Sequence, residues 1–334
     1  MPVTMKEIAR KLGVSIATVS RVLSGSEDSV SDEVRKTILE AADRLGYRPR
    51  RKTGRTIAFL IDSELFNLSS LFYSYIVSNV EKEVARRGYF FHFGAVQKED
   101  LSLRRFGPKP SDLAGAVLVG TYDAELVLRL RSRNAPVVMV DYWLPTEDVD
   151  AVLVDNVDGI MRAGKHLSEL GHRRVAYISG TIDGVSSQER RYGFRRAQAS
   201  FQFEDEPSLE EECRESMSGG FEAMNRLLER HDEHPPTAVI AYNDMVALGA
   251  MDAIKQRGLS IPNDISIVGF DDISLSAEVA PPLTTVQVPK ELMGTLAAET
   301  LFQVIDGKPH IARKILLQAH IVVRGSTAAR PQSG

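Results

Sequence analysis

The sequence predicts a small all-α unit at the N-terminus followed by a larger α/β domain built on parallel sheets. Three observations carry this. The first fifty residues hold three short segments with helical apolar spacing. From Ile57 onward, apolar strand-like runs alternate with helical ones. Several of the latter stop at a glycine: Gly88, Gly171 and Gly258.

In the N-terminal unit, Met5, Ile8, Ala9 and Leu12 repeat at helical spacing. Thr4 and Glu7 can form a capping box in front of them, and Gly13 breaks the helix. Ser15 can cap a second helix whose apolar side is Val19, Val22 and Leu23. Ser31 can cap a third, with Val34, Ile38, Ala41 and Leu45, closed by Gly46. The opposite side of the second helix carries Ala17, Ser20, Arg21 and Ser24 at i, i+3, i+4 and i+7. Such a face suits a major groove, where short side chains allow close approach and an arginine can bond guanine twice. It equally suits a solvated helix surface.

In the larger region the strand-like runs are IAFLID, FFHFGAV, AGAVLVG, APVVMVD, AVLVDN, RVAYISG, TAVIAYND and ISIVGFDD. Helical segments such as SNVEKEVARRG, GIMRAGKHLSELG and MVALGAMDAIKQRG lie between them. This alternation implies parallel sheets covered on both faces, with ligands beyond the carboxyl ends of the strands. Asp62, Asp141, Asp155, Asn156, Asn243, Asp244, Asp271 and Asp272 follow strand runs. Side chains of this kind can bond sugar hydroxyls, and they also cap the helices that follow strands.

The length of 334 residues exceeds one ordinary domain. A single cysteine, Cys213, excludes an internal disulfide and a cysteine metal cluster. With no signal-peptide run at the N-terminus and no membrane-length apolar stretch, a cytoplasmic protein without a membrane partner is expected. The net charge of −4 is unevenly spread: residues 1–55 carry 12 Lys/Arg and 7 Asp/Glu. A basic head on an acidic body fits a nucleic-acid contact confined to one end.

Residues 3–49, and above all the run GVSIATVSRVLSG, closely resemble the helix-turn-helix headpiece of the lactose-repressor/purine-repressor (LacI/GalR) family of transcription regulators. The resemblance implies that Ile16 and Ala17 set operator preference and that Arg21 contacts a base. Thr18, Ser20 and Ser24 would lie on or beside the DNA face, and Thr4 and Ser15 join the candidate contacts. Ile16 and Ala17 offer apolar contact and no bidentate bonding.

The linker departs from the family. After Pro49 the chain reads RRKTGRT and enters a strand at Ile57, with no leucine between Leu45 and Leu60. Relatives have about seven more residues here, including a hinge helix that wedges a leucine into the minor groove. So short a stretch does not sustain a helix. Arg48, Arg50, Arg51 and Lys52 remain, either as a solvated linker or as an arm tracking phosphates or the minor groove.

The resemblance continues through LSELGHRRVAYISG, AYNDMVALGAMDAIKQRGLSIPNDISIVGFDD and PPLTTVQVP. It implies a periplasmic-binding-protein-like effector domain of two lobes with a cleft between them. The expected division is a headpiece over 1–49, a linker over 50–56 and an effector and dimerisation domain over 57–330. Its N-terminal lobe takes about 57–154 and 287–316, its C-terminal lobe about 155–286 and 317–328. By the same resemblance Arg190 anchors the effector, Asp271 faces it, and Asn243 adds a polar contact. Phe72 and Tyr73 match aromatic positions, with helix packing or dimer contact as the alternative. Asp141 is a further contributor, and Asp244 is expected to cap the helix at Met245. Where many relatives carry a stacking aromatic, this chain has Glu215, giving the pocket one acidic wall suited to an amino-bearing ligand.

A sugar-binding receptor of the same fold and an enzyme are the rival classes. No phosphate-binding glycine loop, nucleophile elbow or metal-spaced His/Cys cluster is present in the sequence, so no catalytic residue, cofactor or metal is expected. His166 and His172 are expected to bond locally. The expected partners are operator DNA, a sugar-like effector and a second copy of the chain.

Overall fold

The computed structural model describes residues 5–23, 34, 36–38, 41–42, 56–96, 112–120, 124–132, 134–145, 147–181 and 184–330. Two compact units result, divided near residue 53. Candidate contacts Thr4, Ser24, Arg48, Arg50, Arg51 and Lys52, and with them the linker, lie outside the described residues.

In the first unit, α1 (Met5–Leu12) and α2 (Ile16–Leu23) are followed by helical residues at 34, 36–38 and 41–42. Ile8, Ala9, Val19, Val22, Ile38 and Ala42 close one small core, with Leu12, Val14 and Val34 at its margin. Ser15 caps α2 as expected: its Oγ accepts from the Thr18 amide at 3.0 Å.

The second unit holds two six-stranded sheets. The first is wholly parallel, in the order β11-β5-β4-β3-β1-β2. Its strands are β1 (Thr56–Asp62), β2 (Phe90–Val96), β3 (Leu113–Val119), β4 (Val137–Val140), β5 (Asp150–Val154) and β11 (Lys314–Leu317). Helix α3 (Ser63–Arg86) packs against α10 (Lys290–Ile305) on one face, and α4 (Ala124–Arg131) covers the other. The α3 helix begins well before the segment read from sequence, because the Asp62 carboxylate accepts the Leu65 amide at 3.1 Å and starts it directly at the strand end.

The second sheet runs β12-β10-β9-β8-β6-β7, with only β12 antiparallel. It comprises β6 (Val175–Ser179), β7 (Glu210–Glu212), β8 (Ala238–Ala241), β9 (Ser266–Asp271), β10 (Thr284–Gln287) and β12 (His320–Val322), with the one-turn α9 (Leu275–Glu278) between β9 and β10. Strand alternation sorts its faces. Val175, Tyr177, Ala238, Ile240, Val268 and Phe270 meet α5 (Asn156–Glu169) and α6 (Val185–Phe201). Ala176, Ile178, Val239, Ala241 and Ile267 meet α7 (Met217–Arg230) and α8 (Asp244–Gln256). Helices α3, α5 and α8 end before Gly88, Gly171 and Gly258, all at positive φ, the conformation a glycine stop supplies.

The chain passes between the sheets after β5, after β10 and after β11. The C-terminal segment returns onto the second sheet: Ser326 Oγ donates to Ile267 O at 2.7 Å, and His166 and His172 bond Thr327 and the Ala328 carbonyl. Among the described residues no helix is long and apolar enough to cross a membrane.

Candidate effector cleft and DNA-facing helix

The strand-end polar residues divide into two groups. Asp62, Asp155 and Asn243 cap the helices that follow them, accepting backbone amides at 3.1, 2.9 and 2.9 Å. Asp141 and Asp271 are aimed elsewhere by backbone at φ 59° and 109°, a region costly for a residue with a Cβ. Asp244 corrects an expectation. Asn243, not Asp244, caps α8, and the fully buried Asp244 carboxylate reaches across to the Ile273 amide and the Ser276 and Thr285 hydroxyls at 2.9, 2.6 and 2.5 Å. Burial lifts its pKa to about 6 despite those three donors.

Arg190, on the second turn of α6, is 3 % exposed and anchors the cleft. Its Nε donates to Asn156 Oδ1 at 2.8 Å, one Nη to the Tyr242 carbonyl at 2.7 Å, and the other to Asp271 Oδ1 at 3.4 Å. The guanidinium also lies 3.8 Å from the centre of the Phe270 ring and 4.7 Å from that of Tyr242. Burial pulls the arginine pKa down, but Asp271, Tyr242 and Asp141 outweigh it and the net direction is upward. Burial pushes Asp271 up to about 7 against the opposing pull of Arg190.

The first sheet contributes Asp141, just after β4, and the α3 helix packed on it contributes Tyr73. The Tyr73 hydroxyl donates to Asp141 Oδ2 at 2.8 Å. Burial raises the Asp141 pKa, while Arg190 from the other lobe and the Tyr73 hydrogen bond draw it back. Burial and the neighbouring Asp141 carry Tyr73 well above an ordinary phenol. Phe72 is packed in the core, edge-on to Tyr73, with the Lys290 ammonium 5.9 Å from its ring centre.

Glu215, just ahead of α7, fills the space beside Gly180, bonds the Tyr242 hydroxyl and feels the charges of Arg190 and Asp141. Burial raises its carboxyl, and Arg190, the Tyr242 hydroxyl and the Thr181 amide oppose the rise. The structure thus brings together Tyr73, Asp141, Arg190, Glu215 and Asp271. It leaves Phe72 in the core and keeps Asn243 as a helix cap. It adds Tyr242 and Lys290, absent from the expected set, and gives Asn156, named in the sequence only among the strand-end polar residues, a definite partner. Lys290 opens α10, is buried, and donates to the carbonyls of Asp271, Asp272 and Val288. A polar residue in the first turn after a strand was the only sequence signal for Asn156. Lys290 offered none, because its role comes from where the β10–α10 crossover places it.

On α2, Ile16 is 49 % exposed, a large apolar side chain at the opening of the helix. Thr18 is half-buried and its hydroxyl is tied to Ser15 Oγ at 2.8 Å. Ala17, Ser20 and Arg21 belong to α2, and their side chains lie outside the described residues.

Comparison with known proteins agrees with both units. The family model for bacterial regulatory proteins of the lacI family matches residues 4–50, and that for a periplasmic binding protein-like domain matches 165–327. The chain is 33% identical over 344 residues to the HTH-type transcriptional repressor PurR of Aliivibrio fischeri, covering 98% of this chain and 99% of the relative. The same repressor of Vibrio campbellii is 32% identical, with 97% and 98% covered. Among solved structures, the transcriptional regulator CelR in complex with cellobiose superposes with a TM-score of 0.74 at 31% identity, covering 97% of this chain and 99% of that one. The lac repressor dimer bound to operator and the anti-inducer ONPF gives 0.71 at 26%, covering 98% and 100%. The chain belongs to the lacI family of bacterial regulatory proteins, and is a DNA-binding transcriptional regulator with an effector-binding domain.

Proposed function

We propose that the protein is a cytoplasmic, non-enzymatic repressor that binds a specific operator as a homodimer and changes its operator affinity when a sugar-like effector enters the cleft between its lobes. The observation that carries this is the buried Arg190, held by Asn156, Tyr242 and Asp271 and drawn on by the charge of Asp141 at the end of a first-sheet strand. In this reading Arg190, Asp271, Asp141 and Tyr73 hold the effector, with Asn243 and Phe72 supporting it. Ile16, Ala17 and Arg21 read base edges, and Thr4, Ser15, Thr18, Ser20 and Ser24 position the helix. Arg48, Arg50, Arg51 and Lys52 meet phosphates or the minor groove. Residues 1–49 form the headpiece, 50–56 the linker and 57–330 the effector domain. The sheet memberships support lobes of about 57–154 with 287–316 and 155–286 with 317–328.

Linkage supplies the mechanism: an effector that favours one lobe arrangement shifts the spacing of two headpieces, and operator binding shifts effector affinity by the same factor. The test is operator selection from random duplexes by the full chain, followed by titration of the selected DNA at several salt concentrations with and without a sugar panel. A selected site bound about a thousandfold or more above random DNA is expected. No enrichment, together with intact sugar binding, leaves only a small-molecule receptor of the same fold.

A further inference from the structure

We propose that the cleft takes a ligand bearing a positively charged nitrogen, an amino sugar or a comparable polyhydroxylated amine, with its ammonium between Glu215 and Asp141. This rests on the cleft being the effector site.

Among the described residues the carboxylates of the cleft outnumber the cations paired with them. Asp141, Glu215 and Asp271 converge on one guanidinium. Arg190 has a protein acceptor on each of its three nitrogens, and its carboxylate hydrogen bond goes to Asp271. Lys290, the other cation nearby among the described residues, is turned to backbone carbonyls. Among the described residues the donors to the other two carboxylates are neutral: the Tyr73 hydroxyl for Asp141, and the Tyr242 hydroxyl and Thr181 amide for Glu215.

Two carboxylates that share a shielded site repel, and a cation between them relieves both. A neutral sugar donates hydroxyls to them but leaves the repulsion in place.

Glu215 is seated rather than incidental. A Cβ on Gly180 would fall 2.6 Å from its Oε1 and 3.1 Å from the Tyr242 ring. The backbone at Gly180 therefore leaves the volume that the carboxylate and the Tyr242 ring occupy. Anionic ligands such as sugar phosphates are disfavoured by the same arrangement.

The test uses matched probes on the full chain: D-glucose, D-galactose and cellobiose against D-glucosamine, D-galactosamine and the β-1,4 dimer of glucosamine. Calorimetric titration near neutral pH is run on the wild type, Glu215→Gln, Asp141→Asn and Arg190→Lys, each checked for an intact fold by circular dichroism. At least one amino member is expected to bind about tenfold or more tighter than its neutral counterpart, with most of that preference lost in Glu215→Gln. Equal or tighter binding of the neutral members, a preference unchanged in Glu215→Gln, or no binding by any amino member overturns the assignment. Neutral-sugar binding that weakens in Arg190→Lys and Asp141→Asn leaves the cleft reading standing. Neutral-sugar binding indifferent to both substitutions removes that reading too.

Discussion

The Nε of Arg190 donates to Asn156 Oδ1 at 2.8 Å, and Asn156 is the first residue of α5, two residues after β5 ends. The anchor of the cleft is therefore fixed to the point where the chain leaves the first sheet for the second. Asn156 also donates to Glu189 Oε2 at 2.8 Å, so one amide orients two neighbours on α6. Any rotation of the lobes about this crossover moves the support of the guanidinium. With the effector in the cleft as proposed, that is a direct physical route between its occupancy and lobe geometry.

Asn156→Ala should lower unfolding free energy by about 1–3 kcal/mol, because a buried guanidinium nitrogen loses its acceptor. Asp155 still caps α5, so the helix itself is preserved. Effector affinity should fall as well. The Arg190–Asp271 pair remains, so the pH dependence of binding should keep its shape. Urea denaturation and effector titration at several pH values check this, and an altered pH profile would show that Asn156 governs the titration of a neighbouring group such as Asp271.

Much of the fold was legible because the apolar runs that fill both sheets are long and regular. The strand β7 was not. Its three residues are all glutamate, placed at a sheet edge where Glu210 and Glu211 pair with Arg191, Arg226 and Arg230. An edge strand carrying charge has no hydrophobic signature. In the site, Arg190 and Asp271 could be named from motif resemblance, whereas capping and ligand-facing roles at strand ends use the same residue types. Only backbone conformation separates Asp62, a cap, from Asp141, turned by a positive φ toward Tyr73. Tyr242 contributes its carbonyl and ring to Arg190, a role that no side-chain pattern announces.

The buried Asp244 should make stability fall as pH rises through the mildly acidic range. Its folded pKa is about 6 against an ordinary value of 3.8, so the folded state holds the proton more tightly. The contribution is complete below about pH 4 and is lost by about pH 6, roughly 3 kcal/mol in all. Asp271, raised to about 7, acts with the same sign over a wider range. Asp244→Asn cannot ionise, so urea midpoints measured at about pH 4 and 7 should differ less in the variant than in the wild type. An unchanged difference would assign the titration to other groups.

Arg21→Ala should cost about 1–3 kcal/mol of binding to the selected operator and far less on random DNA. Arg21 lies on α2 at helical spacing from Ala17. A base contact contributes specificity without releasing counterions, so the salt dependence of binding should be preserved. Fluorescence anisotropy across a salt series separates the two. A reduced slope with uniform weakening would reassign Arg21 to phosphate.

The short basic linker should bind the operator without a sharp central kink. No leucine is available between Leu45 and Leu60 to act as a wedge between base steps. Circular-permutation gel shifts should therefore show mobility nearly independent of site position. A strong dependence centred on the operator would require another residue to unstack the DNA.

Gly180→Ala should separate ligand preference from stability. The added methyl would lie 2.6 Å from Glu215 Oε1, the far end of a flexible side chain that can swing away, and 3.1 Å from the stiffer Tyr242 ring. Displacing the carboxylate costs the folded state little, and alanine restricts the unfolded chain, a gain of about 0.4–1 kcal/mol where the backbone allows it. Unfolding free energy should thus stay within about 1 kcal/mol of wild type. The amino probe that binds the wild type should weaken about tenfold, and its neutral counterpart should change little, because only the former depends on the charge of Glu215. Equal losses for both would mean that the methyl blocks the cleft itself. No loss for either would place Glu215 outside ligand contact, even though its carboxylate fills the space left open at Gly180.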